Sequence, residues 1–527
     1  MNIYPIPDNI RSKLLTYQID HVDGLIYSLR TYNRALDASD TGTGKTYAAI
    51  ASCLSMNLKA LIICPKSVIT SWTNVLDQFN SSYYGVANYE TIQNCKYFTK
   101  LSKREKVKCP FIKKIEKKKE SKNEYKTKKS NNPKIDKKDK DYIEYSFVWE
   151  NLPDDLIVIF DETHRCKNPR TNNSVMLYSL ALTKCKILML SATCADKPDT
   201  FILTGYVLGL YKNIRQAKNW MLEVGKGYDN IMSGVHNTIY PEHANRMRIR
   251  DLKGLFPNNH IICSCFDMDN AEEIEKQYKL IEDEIKRLKE KEKSSSCALS
   301  RILYARMTVE SLKIPTFIEL AKKHLKEGYA VAIFVNFTQS LMTIAEELKT
   351  STVIHGQQSL DDRNKSINDF NNDKSQIIVC NIKSGGCGIS LQDLTGLYPR
   401  ISIISPSWSA QDIIQCLGRV HRANGKTPVQ QKIIFCSNTI EEQICQNMKE
   451  KINNIFLLND GDLLSMNIIG LTDDQIGIDE NANLSEFDKL FLRITTLNVK
   501  KERLENDIKQ VNEEIEKLAL QINNLVN

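Results

Sequence analysis

The chain has 527 residues, 42% of them hydrophobic and 26% charged, which excludes wholesale disorder, a collagen-like repeat and a disulfide miniprotein. At roughly 150 residues per domain the length allows about three or four domains. Lys plus Arg number 72 against 64 Asp plus Glu, a formal charge of +8, yet residues 96–140 alone hold 19 basic and 6 acidic residues, so the basic character belongs to one tract.

The apolar runs are short, such as Leu156–Phe160 and Val331–Val335, far from the ~18 residues a membrane span needs. The first residues lack the apolar core of a signal peptide. Fifteen cysteines, an odd number without repeated spacing, read as reduced thiols in an intracellular, reducing compartment.

Residues 1–95 alternate apolar runs with helical spacing: Leu61–Cys64 reads as a buried strand, and Ile69–Phe79 as a helix. Residues 96–146 are lysine-rich and apolar-poor, the composition of a mobile surface insertion. Strands return at Leu156–Phe160 and Ile187–Leu190. His260–Cys265 reads as a short strand; its spacing does not match a structural zinc site. Ile274, Tyr278, Ile281, Ile285 and Leu288 mark a charged amphipathic helix within 270–295. Val331–Val335, Ile377–Cys380, Ile401–Ile404 and Lys432–Phe435 are further strands with helical patterns between them. Two blocks of alternating strands and helices predict two α/β lobes with parallel sheets.

From Leu490 the apolar positions fall four and three apart, broken only by Lys501: Ile494, Leu497, Leu504, Ile508, Val511, Ile515, Leu518, Ile522 and Leu525. Such heptads define a seam but not its partner, so residues 490–525 predict either a self-associating or partner-binding coiled coil, or a long helix packed back on the chain.

Chemistry concentrates at three places. A short apolar run leads into Thr41-Gly42-Thr43-Gly44-Lys45-Thr46, and a helical pattern follows. Strand, Gly-rich turn and helix start is the P-loop arrangement, in which backbone N–H groups cradle phosphates, Lys45 reaches them and Thr46 offers its hydroxyl to Mg²⁺. Ser39 stands where the strict pattern has Gly. The strand Leu156–Phe160 ends in Asp161-Glu162-Thr163-His164, a carboxylate pair fit to hold Mg²⁺ and to activate water. Third, Gln415-Cys416-Leu417-Gly418-Arg419-Val420-His421-Arg422 places two arginines on a helical pattern.

In chain order these motifs resemble the superfamily two helicase-like ATPases, and among them the Swi/Snf-like group. Leu15-Thr16-Tyr17-Gln18 is similar to the Q motif, Cys64-Pro65-Lys66-Ser67 with Trp72 to motif Ia, and Asn88-Tyr89-Glu90-Thr91 to motif Ib. Asp161–His164 trailed by Lys167-Asn168 resembles the Swi/Snf form of motif II. Ser191-Ala192-Thr193 is similar to motif III, Ile333–Phe337 to motif IV, Ser384–Leu391 to motif V and Gln415–Arg422 to motif VI. The series covers roughly residues 12–450 and extends to compact helicases of large DNA viruses. Cys194 after motif III, Thr163 within motif II and Ser384 opening motif V depart from the usual Swi/Snf forms.

The resemblance implies two RecA-like lobes clasping ATP and Mg²⁺. Thr41 to Thr46 would hold the phosphates, Thr46 and Asp161 the metal, and Gln18 the adenine. Glu162 would be the catalytic base, Arg419 and Arg422 the trans-lobe arginines, and Gln415 would line the cleft. His164, Ser191 and Thr193 would couple nucleotide state to lobe movement, while Lys66, Asn336 and Ser384 would face nucleic acid. The expected division is lobe one at 1–265 with its basic insertion at 96–146, a helical inter-lobe region at 266–312, lobe two at 313–460, a linker at 461–484 and a coiled coil at 485–527. The expected activity is ATP-driven movement on nucleic acid, DNA before RNA, in viral transcription or genome handling. The alternatives are an RNA helicase and an ATP-switched binding module. The basic tract reads as a nucleic-acid tether or a localisation signal.

Overall fold

The computed structural model describes residues 5–469 except 100–104, 118–143, 170, 253–254, 290–294, 386–388, 408 and 461–467. The expected coiled coil at 485–527 and nearly all of the expected linker lie outside the described residues. Among the described residues no helix is long and apolar enough to cross a membrane.

Two sheets organise the chain. The first contains β1 (Arg34–Asp37), β2 (Lys59–Cys64), β3 (Gly85–Asn88), β4 (Lys96–Phe98), β5 (Lys106–Lys108), β8 (Leu156–Asp161), β9 (Lys186–Leu190) and β10 (Ala244–Asn245), in spatial order β10-β1-β9-β8-β2-β3-β4-β5. Its pairings are parallel as far as β3; β4 and β5 add antiparallel edge strands. Side-chain parity explains the burial. Leu36, Leu61, Ile63, Val158, Phe160, Ile187 and Met189 enter the core on one face. Their neighbours Ala35, Ala60, Ile62, Ile157, Ile159, Leu188 and Leu190 enter the core on the other. A parallel sheet covered on both faces needs such unbroken apolar runs.

The expectation of a wholly mobile basic insertion is corrected for its described parts. β6 (Ile112–Lys117) and β7 (Glu144–Trp149) form an antiparallel ribbon. Phe111, Ile112, Phe147 and Trp149 are buried against the core of lobe one, and Trp149 Nε1 donates to the Met176 carbonyl at 3.1 Å. Alternation puts those apolar residues inward and leaves Lys113 outside.

The second sheet runs β13 (Val353–Ile354), β14 (Ile377–Asn381), β12 (Ala330–Val335), β15 (Arg400–Ile404), β16 (Val429–Cys436) and β11 (Asn259–Phe266), all parallel. The expected lobe-one boundary at 265 is therefore corrected: Asn259–Phe266 pairs with β16 through eight residues. The expected inter-lobe helices are Ala271–Lys289 and Ser295–Leu312, and Ile274, Tyr278, Ile281, Ala305 and Val309 pack into the core of this second lobe.

A buried ion pair ties these pieces together. Lys313 Nζ lies 2.7 Å from Glu441 Oε2 and also donates to the Ile434 carbonyl, while Tyr278 OH donates to Glu441 Oε1. Removing one partner strands a desolvated charge. Glu441→Ala is expected to lower lobe-two stability by ~3–5 kcal/mol, read as an earlier unfolding transition in denaturant.

Candidate active site between the two lobes

The phosphate loop connects β1 to the helix Lys45–Ser55. Gly42 and Gly44 sit at φ 88° and 90°, a region that only glycine enters without strain. Ser39 has its own explanation. Its buried hydroxyl accepts the Met247 N–H at 2.9 Å, a bond glycine cannot make. Arg246 donates to the Ala38 carbonyl at 2.6 Å and to Asp40 Oδ1 at 2.7 Å, and Asp40 Oδ2 accepts the Ile249 N–H. The segment after β10 thus clamps the loop from below. Beneath it, Asp37 accepts the Ser39 N–H and faces His21 Nε2 at 3.1 Å. Burial pushes Asp37 up, but His21, Lys45 and the bond from Ser39 more than offset that and hold it low.

Gln18 is buried, and its amide is committed to the protein. Oε1 accepts the Leu15 N–H at 2.9 Å, and Nε2 donates to the Thr43 carbonyl at 3.0 Å. The amide expected to recognise adenine here shapes the phosphate loop. Tyr17 OH donates to the same carbonyl. Lys45 Nζ donates to the Ser39 and Asp40 carbonyls at 2.8 and 3.1 Å. Burial draws its pKa down, opposed by Asp37, Glu162, Asp161 and Asp40. Thr46 stands in the first turn of the following helix.

β8 delivers the carboxylates. Trp72 is fully buried, yet its Nε1 donates to Asp161 Oδ2 at 2.8 Å, so it is both core and an orienting group. Tyr89 OH donates to the Asp161 carbonyl. Glu162 occupies the left-handed region at φ 55°, ψ 53°, a strain on the order of 1–3 kcal/mol that turns its carboxylate into the cleft. Burial and the neighbouring charge of Glu162 raise Asp161. Burial would raise Glu162 too, but the hydrogen bond and charge of His164, with Lys45 and Arg419, overcome it and keep Glu162 low. The two adjacent carboxylates are thereby shifted in opposite directions. His164 Nδ1 lies 3.2 Å from both Glu162 Oε2 and Ser191 Oγ, and the same hydroxyl accepts the Thr193 N–H.

Lobe two reaches this site through the helix Ala410–Val420, capped by Ser409, whose hydroxyl accepts the Asp412 N–H. Gln415 Nε2 donates to Glu162 Oε2 at 3.2 Å and lies 3.3 Å from His164 Nε2. Arg419 is buried and donates through Nε to the Gln415 carbonyl. Arg422 donates through Nε to the Gly418 carbonyl. Burial, then the charge of Arg419, pulls the Arg422 pKa downward. A Cβ on Gly418 would overlap Thr41 Oγ1, and one on Gly42 would touch Arg422 Cγ at 3.4 Å. Helix and phosphate loop are in direct contact.

Gln411 was not among the expected site residues. It is buried, accepts Lys167 Nζ at 2.6 Å and donates to the Thr193 carbonyl at 2.8 Å, and Lys167 also lies 3.3 Å from Asp196. The signal was legible: Gln411, Gln415 and Arg419 are spaced four and four, one face of one helix, and Arg422 follows just past its end. Of the residues expected to face nucleic acid, Lys66 is exposed just after β2, and Ser384 lies in the short helix Ile382–Gly385. Asn336, expected to face nucleic acid, donates through its side-chain amide to Glu310, Ser405 and the Pro406 carbonyl inside lobe two.

The arrangement fits a polyphosphate. Three cations, Lys45, Arg419 and Arg422, converge on a glycine cradle, and two of them are shifted in the direction that an anion would reverse. Residues 11–196 match the family model described as "Type III restriction enzyme, res subunit", and residues 312–424 match "Helicase conserved C-terminal domain". A protein of Acanthamoeba polyphaga mimivirus, named as an ATP-dependent RNA helicase, is 33% identical over 475 residues, covering 86% of this chain and 84% of its own. Local likeness links 127 residues, at 30% identity, to a RAD54-like DNA repair and recombination protein of Drosophila ananassae, 23% of this chain and 16% of that one. Among solved structures, the Sulfolobus solfataricus SWI2/SNF2 ATPase core in complex with dsDNA aligns over 87% of this chain and 96% of its own, at 18% identity and a TM-score of 0.35.

Gly418→Ala tests the inter-lobe contact. The added methyl forces the helix off Thr41, and a displacement of about 1 Å is expected to lower nucleotide turnover by roughly 100-fold. Thr41→Gly in the same chain should restore much of it. Measuring turnover in the single and double variants checks both expectations.

Proposed function

The chain belongs to the superfamily two helicase-like ATPases, with motifs of the Swi/Snf-like form, and is an ATP-dependent nucleic-acid helicase or translocase; on that premise we propose that it is a motor that tracks along duplex DNA. The carrying observation is the helix Ala410–Val420, which sets Gln415 and Arg419 of lobe two against Glu162 and the phosphate loop of lobe one.

In this reading Lys45 and the loop N–H groups hold the phosphates of ATP. Thr46 and Asp161 would hold Mg²⁺, which when bound neutralises charge on those phosphates. Trp72 keeps Asp161 aimed, and its indole N–H occupies one carboxylate oxygen. Glu162, held ionised, orients the attacking water and takes its proton. Arg419 and Arg422 offset the charge that develops on the transferring phosphoryl group. Gln415 positions Glu162 and His164. Ser191, His164, Thr193 and Gln411 link the carboxylate pair to the lobe interface through continuous hydrogen bonds. Loss of the phosphate charge would leave the arginines facing each other, which favours reopening. Lys66 and Ser384 face the nucleic acid and position its backbone without reading sequence.

The trailing Lys167-Asn168 and the local likeness to a DNA repair protein support duplex DNA. Ser191-Ala192-Thr193 and the name of the mimivirus relative favour a second reading, strand separation on RNA. Steady-state ATP hydrolysis with no polymer, duplex DNA, single-stranded DNA or RNA distinguishes them. Stimulation by duplex DNA is expected, and Glu162→Gln should lower it by about 10²–10⁴-fold. Preference for RNA supports the second reading. No response to any polymer points instead to an ATP-switched binding module.

A further inference from the structure

The basic tract begins immediately after motif Ib, and the strand register shows where it points. Cys64 pairs with Asn88, and Val86 pairs with Phe98. Continuing that antiparallel register by two residues brings Asn88 opposite Lys96, and Lys96 pairs with Lys108. Asp161 lies one residue beyond the pairing of Phe160 with Ile63, so it stands level with Cys64. Asp161, Cys64, Asn88, Lys96 and Lys108 therefore form one row across five adjacent strands. The row runs along the C-terminal ends of the parallel strands, the edge where open α/β sheets bind their ligands. At ~4.8 Å per strand, Lys108 stands about 19 Å from the Asp161 position.

Lys96 and Lys108 are both exposed and directly opposed across an antiparallel pair, so their side chains leave the same face. Like charges so placed repel unless an anion lies between them. The neighbouring lysines are otherwise engaged. Lys113 pairs with Glu150, and Lys106 lies 5.8 Å from the Phe98 ring centre. Neither Lys96 nor Lys108 is ion-paired with another described residue. The pair is rigidly held, because β4 and β5 continue the first sheet and Tyr97 between the two ends of β4 is buried in the core of lobe one.

We propose that Lys96 and Lys108 form a backbone-phosphate clamp for duplex nucleic acid on lobe one, beside motif Ib and outside the motif series. The proposal rests on the motor reading above. The clamp carries no sequence information and adds grip on the duplex at the end of the row farthest from the phosphate loop.

The test is equilibrium binding of the full-length chain to duplex DNA across a salt series. In Lys96→Gln/Lys108→Gln the slope of log affinity against log salt is expected to become shallower by about 2, at ~0.9 per phosphate contact. Lys96→Arg/Lys108→Arg should keep the parent slope. An unchanged slope in the Gln variant overturns the clamp, as does an equal loss in the Arg variant, which would mark a structural effect. If the parent chain binds no duplex at all, the motor reading fails and the clamp with it; a parent that binds normally isolates the failure to the clamp.

Discussion

The contact between Gly418 and Thr41 governs the rest of the site. A helix of lobe two can lie on the phosphate loop of lobe one only where neither surface carries excess bulk, and Gly418 supplies that space. Once the helix is seated, its one face delivers Gln411, Gln415 and Arg419 in register. Gln411 meets Lys167 and Thr193, and Gln415 meets Glu162 and His164. Arg419 follows one turn later, and Arg422, just past the helix end, donates back to the Gly418 carbonyl. The electrostatic consequence is a cleft that gathers Lys45, Arg419 and Arg422 beside the Asp161–Glu162 pair, with burial pulling the Lys45 and Arg422 pKa values down.

The loop itself is shaped from three sides. Gln18 and Tyr17 hold Thr43 from above, Arg246 and Ile249 hold Asp40 from below, and the Asp37–His21 pair anchors the strand end. Preorganised donors of this kind need no rearrangement when charge develops, which is the usual source of the largest catalytic gain. Glu162 shows the cost of that arrangement: a left-handed backbone is tolerated because Gln415 and His164 fix the carboxylate it presents.

Much of this was legible from residue order. Leu156–Phe160 and Ile187–Leu190 are strands because both faces of a parallel sheet are buried, and their apolar runs are unbroken. The P-loop glycines and the motif VI arginines stand where spacing put them. Other features depend on contacts that local pattern does not encode. Asn259–Phe266 reads as a strand in sequence, but only its pairing with β16 shows which lobe owns it. Phe111, Ile112, Phe147 and Trp149 form a buried ribbon although lysines dominate the intervening sequence. Ser39 looked like a defect in the glycine pattern until Met247, some two hundred residues later, supplied its partner. Asn336 reads as a phosphate donor in sequence, and local pattern does not encode its contacts with Glu310, Ser405 and Pro406. Gln411 was readable from helical spacing; what it touches was not.

The central claim is that one chain completes its own catalytic site, with lobe two supplying arginines to the phosphate loop of the same molecule. Mixing two inactive variants tests it most directly. Lys45→Ala lacks the loop lysine, and Arg419→Ala/Arg422→Ala lacks the arginines. The account predicts that the mixture stays as inactive in ATP hydrolysis as either variant alone. Recovery of hydrolysis on mixing would contradict it, because the arginines would then be acting between chains.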